Sequence, residues 1–136
     1  MFSATALLLI MSGCSKKDSG SQAATMKNVA GTYKLTAYTG SFMGMNYNLM
    51  DSLETCQRDD NYKFNADSTY QYIDAGTQCS TSGNASGTWY INGNWIVLDG
   101  SDSATIKSFS GSQLVVTFTE SSGGLTATAT QTFTRL

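Results

Sequence analysis

The chain has 136 residues and a formal net charge of −2, which fits one domain with a single hydrophobic core. A balance so close to neutral carries no basic footprint for nucleic acid. Histidine is absent. It is the commonest base and metal ligand near neutral pH, so its absence removes serine–histidine and cysteine–histidine nucleophile pairs and most zinc sites.

Residues 4–11, Ala-Thr-Ala-Leu-Leu-Leu-Ile-Met, form a short apolar run. A bilayer span needs about 20 apolar residues, whereas a run this short suits the central region of an export signal. Met11-Ser12-Gly13-Cys14 follows directly and resembles the bacterial lipobox. In signals of that kind a diacylglycerol is attached to the cysteine thiol and a peptidase cuts just before it. Met11 stands where leucine is usual, and no lysine or arginine precedes the apolar run. The expectation is a signal peptide over 1–13 and an acylated Cys14, palmitate being a typical chain, that holds the protein to the membrane. Serine rather than aspartate at position 15 resembles the sorting rule for outer-membrane lipoproteins.

From Ser15 to about Asn28 the chain is polar, with neither strand nor helix period. It reads as a flexible tether over 14–28, ahead of a domain over 29–136. With Cys14 given to lipid, Cys56 and Cys79 remain as a pair in an exported, oxidising compartment. No closely spaced redox motif is present, so a structural disulfide is expected. Closing such a loop contributes about 3 kcal/mol.

The domain alternates apolar and polar residues at period two, the mark of half-buried strands. Residues 31–38 place Tyr33, Leu35 and Ala37 on one face. Residues 41–55, with Met43, Met45, Met50 and Leu53, fit a strand, a loop or a short helix. Tyr62-Lys63-Phe64 and Tyr70-Gln71-Tyr72 flank the turn-like Ala66-Asp67-Ser68 and read as a hairpin. Residues 89–91 and 95–98 flank Asn92-Gly93, which predicts a type I′ turn with both residues at positive φ. Strands over 104–109 and 113–119 join through Ser110-Gly111-Ser112, and Leu114, Val116 and Phe118 share a face of the second. The last strand runs from Leu125 to Leu136. Threonines occupy alternate positions from 126 to 134, and Leu125, Ala127, Ala129, Gln131 and Phe133 face the other way.

The count is about eight strands joined mainly by short turns. The predicted fold is all-β: an antiparallel up-and-down meander closed into a barrel, which removes exposed edges. A two-sheet β-sandwich is the alternative.

The order of features resembles a known family. A lipobox and polar spacer lead to Gly31-Thr32-Tyr33, then Cys56-Gln57-Arg58-Asp59-Asp60, Tyr62-Lys63-Phe64 and Asp67-Ser68-Thr69-Tyr70. Cys79, Gly87-Thr88-Trp89 and a meander ending in Phe133-Thr134-Arg135-Leu136 complete it. This resembles the bacterial lipocalin-like domain lipoproteins over nearly the whole mature chain. The resemblance implies a lipocalin-like barrel, often with a disulfide, and suggests small hydrophobic ligands. Gly31-Thr32-Tyr33 departs from the glycine–any–tryptophan opening of true lipocalins.

An eight-stranded barrel either holds one small ligand or is filled by its own side chains. Tyr33, Tyr62, Phe64, Tyr70 and Tyr72 are candidate lining residues, together with Trp89, Phe118 and Phe133. Ala127 and Ala129 leave room on the last strand. Asp51, Glu54, Asp59 and Asp60 surround Cys56 and read as turn caps and partners of Arg58, rather than as hydrolytic carboxylates or a calcium site. The expected protein is a non-enzymatic outer-membrane lipoprotein that binds a small, mainly apolar ligand. It needs no cofactor or metal and meets the membrane through lipid. The alternative is a structural or protein-interaction lipoprotein with a filled core.

Overall fold

Period-two alternation broken by glycine-bearing turns produces nine antiparallel strands in the computed structural model, which describes residues 21–80 and 83–136. They are β1 (Gly31–Phe42), β2 (Met45–Asn48), β3 (Asn61–Phe64), β4 (Thr69–Ile73) and β5 (Ala85–Asn92). Then come β6 (Trp95–Leu98), β7 (Asp102–Phe109), β8 (Gln113–Ser122) and β9 (Leu125–Arg135). Each strand from β3 onward pairs with the next, and β9 returns to pair with β1. The result is one closed eight-stranded barrel, not two packed sheets. β2 is the extra strand. The start of β1 pairs with β3 over Gly31–Lys34, and its far end pairs with β2 over Thr39–Phe42.

Local chemistry sets the turns. Phe42 pairs with Met45 and Ser122 with Leu125, leaving two-residue loops. Met43 and Gly44 both have positive φ (49° and 74°), as do Gly123 and Gly124 (60° and 78°). The two loops thus have the signs of type I′ turns, whose twist matches the strands. The Asn92-Gly93 expectation is corrected in register. Asn92 pairs with Trp95, so Gly93 and Asn94 form the loop, and of these only Gly93 has positive φ. That is the sign pattern of a type II′ turn.

The expected face of β1 is corrected too. Leu35 pairs with Phe133, but Ala37 pairs with Thr132, so Thr36 is the extra residue of a β-bulge. A bulge moves every later side chain to the opposite face. Beyond it Tyr38, Gly40 and Phe42 point inward in place of Ala37.

One end of the barrel is plugged. The short helix α1 (Met26–Val29) is capped by Thr25, whose side chain accepts from the Asn28 N–H. It brings Val29 onto Tyr33, whose hydroxyl donates to the Val29 carbonyl at 2.7 Å. Tyr33, Phe64 and Trp89 pack edge to face or tilted, with centroids 6.1 and 5.0 Å apart. Trp89 is 1% exposed, and its indole N–H donates to the Asn65 carbonyl at 2.8 Å. Phe109 and Leu114 complete this buried end. The segment read as a tether is already docked here, because the Gln22 N–H donates to the Phe109 carbonyl at 2.7 Å. Residues 1–13 and Cys14 lie outside the described residues.

At the other end, residues 49–60 form a 3-10 turn (Leu49–Ser52) and α2 (Thr55–Arg58). The Cys56–Cys79 disulfide, with Cα atoms 5.2 Å apart, ties α2 to the connection between β4 and β5. The adjacent aspartates hold that connection. Asp60 accepts from the Tyr72 hydroxyl and the Ala75 N–H, Asp59 from the Thr77 N–H, and Asp74 from the Gly83 N–H. Arg58 instead donates to the carbonyls of Leu53 and Asp51, which corrects its expected pairing with the aspartates.

Candidate functional site: the open mouth of the barrel

Strands β1, β8 and β9 are the longest, and their registers stack inward residues in rows from the plugged end outward. The first row is Leu35, Phe133, Leu114 and Phe109. The second is Tyr38, Gln131, Val116 and Ile106. The third is Gly40, Ala129 and Phe118, and the fourth is Phe42, Ala127 and Glu120. Bulk fills the first row. Gly40, Ala129 and Ala127 leave the outer rows wide, and a cavity of about 490 Å³ opens there.

Its aromatic walls are Tyr38, Phe42, Tyr47 and Phe118, and among the described residues Glu120 is the one charged residue on it. β2 carries the wall past the barrel rim, since Tyr47 pairs with Gly40 and Met45 with Phe42. Leu49 of the 3-10 turn lies against Gly40, where a Cβ would come within 2.9 Å of its Cδ1. The rim is apolar: Met43 is 71% exposed, and Phe42, Met45, Tyr47 and Leu125 are exposed as well.

A second cavity of about 110 Å³ lies deeper, among Tyr62, Phe64, Ile96, Leu98 and Phe133. Phe118 and Gln131 border both cavities. The two are thus neighbouring spaces along one barrel interior.

The residues expected to line a pocket are divided by this geometry. Phe118, Ala127 and Ala129 border the mouth cavity, and Tyr62, Phe64 and Phe133 the inner one. Tyr33 and Trp89 belong to the plugged end, where both are fully packed. Tyr70 donates to Asp99 at 2.9 Å, and Tyr72 is turned to Asp60. None of these four borders either cavity. Tyr38, Gly40, Phe42, Tyr47, Leu49, Glu120 and Gln131 are mouth residues that the sequence reading did not single out. The alternation of β8 and β9 already placed Glu120 and Gln131 in phase with Phe118 and Ala129. The β1 residues needed the bulge.

Burial shifts the phenols of β3 and β4. Tyr62 is pushed up to about 12, first by desolvation and then by the charge of Asp60. Tyr72 is raised further for the same first reason, reinforced by its hydrogen bond to Asp60. Tyr70 is raised by burial and by donation to Asp99. Tyr70 and Tyr72 act as neutral donors to Asp99 and Asp60. Among the described residues, Glu54, Cys56 and Cys79 form a group with metal-ligand proximity, but both sulfurs are committed to the disulfide.

Comparison with protein families matches residues 29–116 to the lipocalin-like domain. No curated protein and no solved structure matches the chain.

Proposed function

This chain belongs to the lipocalin-like domain family, and from that premise we propose that it is a lipid-anchored binding protein whose barrel mouth takes a small, mainly apolar ligand. One observation carries the reading: a cavity of about 490 Å³ at the mouth, lined by the aromatics Tyr38, Phe42, Tyr47 and Phe118 with the small residues Gly40, Ala127 and Ala129 set between them. Ligand sites are typically concave, mostly apolar and about 300–1,000 Å³ in volume. The plugged end supports it too, because a well-packed floor lets the outer rows stay open without loss of the fold.

The reading assigns no catalysis. Histidine is absent, and Asp59 and Asp60 are engaged with backbone N–H groups of the loop beside them. Lipid on Cys14 supplies the membrane contact and the outer membrane is the proposed site. From Cys14 to Gln22 a chain spans at most about 28 Å. Gln22 docks at the plugged end, so this arrangement directs the mouth away from the bilayer that holds the anchor.

Native mass spectrometry of the chain recovered from its own envelope tests the proposal. The expected result is a mass beginning at an acylated Cys14, with a further small-molecule increment that is lost on denaturation. A chain that still carries residues 1–13 and has no acyl group overturns the anchor. Recovery without any increment, together with no uptake of added amphiphiles, overturns the ligand.

The alternative, a protein-interaction lipoprotein, is favoured by the exposed hairpin tip at Phe42, Met43 and Met45. It predicts that replacing Met43 and Met45, which line neither cavity, with serine releases a bound protein and leaves small-molecule uptake unchanged.

A further inference from the structure

Acidic residues gather toward the mouth of this barrel, although Asp67 lies in the β3–β4 turn at the plugged end and Lys34, Lys63 and Lys107 lie along β1, β3 and β7. On the mouth side, Asp51, Glu54, Asp59 and Asp60 precede β3, Asp74 follows β4, and Asp99 and Asp102 flank the β6–β7 turn. Glu120 stands on the cavity wall itself. Among the described residues, the only cation in these mouth-side segments is Arg58, whose guanidinium is taken by the carbonyls of Leu53 and Asp51. Lys27 lies on α1 and Arg135 beside it, both at the plugged end. Among the described residues, neither cavity is bordered by a lysine or an arginine.

An anionic head group therefore finds no cationic partner among the described residues of this mouth and meets a negative field on approach. A cationic one finds Glu120, with Phe42 one row-step away across Ala127, and Tyr38, Tyr47 and Phe118 on the same wall. Aromatic faces attract cations through their ring quadrupole, and most strongly where water is partly excluded. Low-dielectric walls focus the field of the surrounding acids into the opening.

We propose that the mouth selects an amphiphile with a cationic head, an amine or quaternary ammonium group on an apolar body. The apolar body occupies the space beside Gly40 and Ala129 and points toward Gln131. The head remains at the level of Glu120 and Phe42. This rests on the ligand-binding reading given above and narrows it to one charge class.

Calorimetric titration of the intact, disulfide-bonded chain in phosphatidylcholine nanodiscs tests it, with empty nanodiscs as reference. The probes are octyltrimethylammonium, octanoate and octanol, which share one tail and differ in head charge. Octyltrimethylammonium is expected to bind about tenfold tighter than octanoate at low salt, with the gap narrowing as salt rises. Glu120→Gln should bring the two within about twofold and change octanol binding far less than it changes the cation's. Tyr47→Leu, which keeps apolar bulk but removes an aromatic face, should weaken the cation about threefold and lower octanol binding by less than that.

Octanoate binding as tightly as the cation, or a preference that survives Glu120→Gln, overturns the cationic assignment. All three probes binding alike does so while leaving the ligand-binding reading intact. Binding of none of the three removes both.

Discussion

The guanidinium of Arg135 lies 5.2 Å from the centroid of the Tyr33 ring and donates to the Tyr33 hydroxyl at 2.6 Å. The same terminal nitrogen donates to the Asn28 carbonyl at 2.6 Å, so one residue of the last strand joins the first strand to α1. It also lies 5.9 Å from the Phe109 ring. Tyr33 in turn donates to Val29, and the plugged end becomes a single network of β1, β9 and the helix. Charge-assisted hydrogen bonds in partly buried settings contribute roughly 1.5–3 kcal/mol. Arg135→Leu is therefore expected to lower unfolding stability by about 2–3 kcal/mol in urea titration. Tyr33→Phe, which keeps the ring, should cost about 1–2 kcal/mol. An Arg135→Leu protein as stable as the parent would show that the network contributes nothing.

Core and mouth should respond differently to changes in volume. Trp89 is buried in the floor, so Trp89→Ala is expected to cost about 3–5 kcal/mol and to unfold the protein at lower temperature. Ala129→Leu adds bulk to an open cavity between Gly40 and Phe118, so it should shift stability by less than about 1 kcal/mol. It should still reduce uptake of octyltrimethylammonium at least tenfold by calorimetry, since the tail then has no room. Strong destabilisation by Ala129→Leu would mean that the cavity is closed in solution.

Alkaline pH should loosen the barrel. The phenols of Tyr33, Tyr62, Tyr70 and Tyr72 are all raised from the ordinary 10.0 in the folded protein, chiefly by burial. The unfolded chain thus loses these protons first, and the folded state binds more protons above pH 10. Stability is then fully present below pH 10 and falls as pH rises toward the Tyr62 value of about 12. Urea midpoints measured from pH 8 to pH 11.5 should show this decline, and Tyr62→Phe should make it shallower. A flat profile over that range would contradict the burial of these hydroxyls.

Met43 occupies the first central position of the β1–β2 turn at φ 49°, a region where a side chain with a Cβ is strained by roughly 1–2 kcal/mol. Asparagine and glycine suit such a turn better. Met43→Asn is expected to raise stability by about 0.5–1 kcal/mol, read as a higher urea midpoint. An unchanged or lower midpoint would mean that Met43 gains packing in the folded state that offsets the strain.

The sequence by itself determined the strands of the barrel, the meander and the disulfide partners, because each has a local signal, but it left β2 within residues 41–55 open. Tyr62–Phe64 and Tyr70–Tyr72 alternate around a turn, and Leu125–Phe133 alternates against the threonines. Cys56 and Cys79 were the pair left once Cys14 was set aside. The alternation already pointed to Phe118, Ala127 and Ala129, and the tertiary structure alone decided the part of the mouth that β1 and β2 supply. The bulge at Thr36 inverts β1, so Tyr38, Gly40 and Phe42 join Ala127 and Ala129, and only pairing with β9 reveals that inversion. Likewise nothing in the alternation separates Trp89 and Tyr33, which pack into the floor, from Phe118, which borders a cavity. That division follows from how far each strand extends beyond the plug of α1, and strand length against its neighbours is a property of the closed sheet.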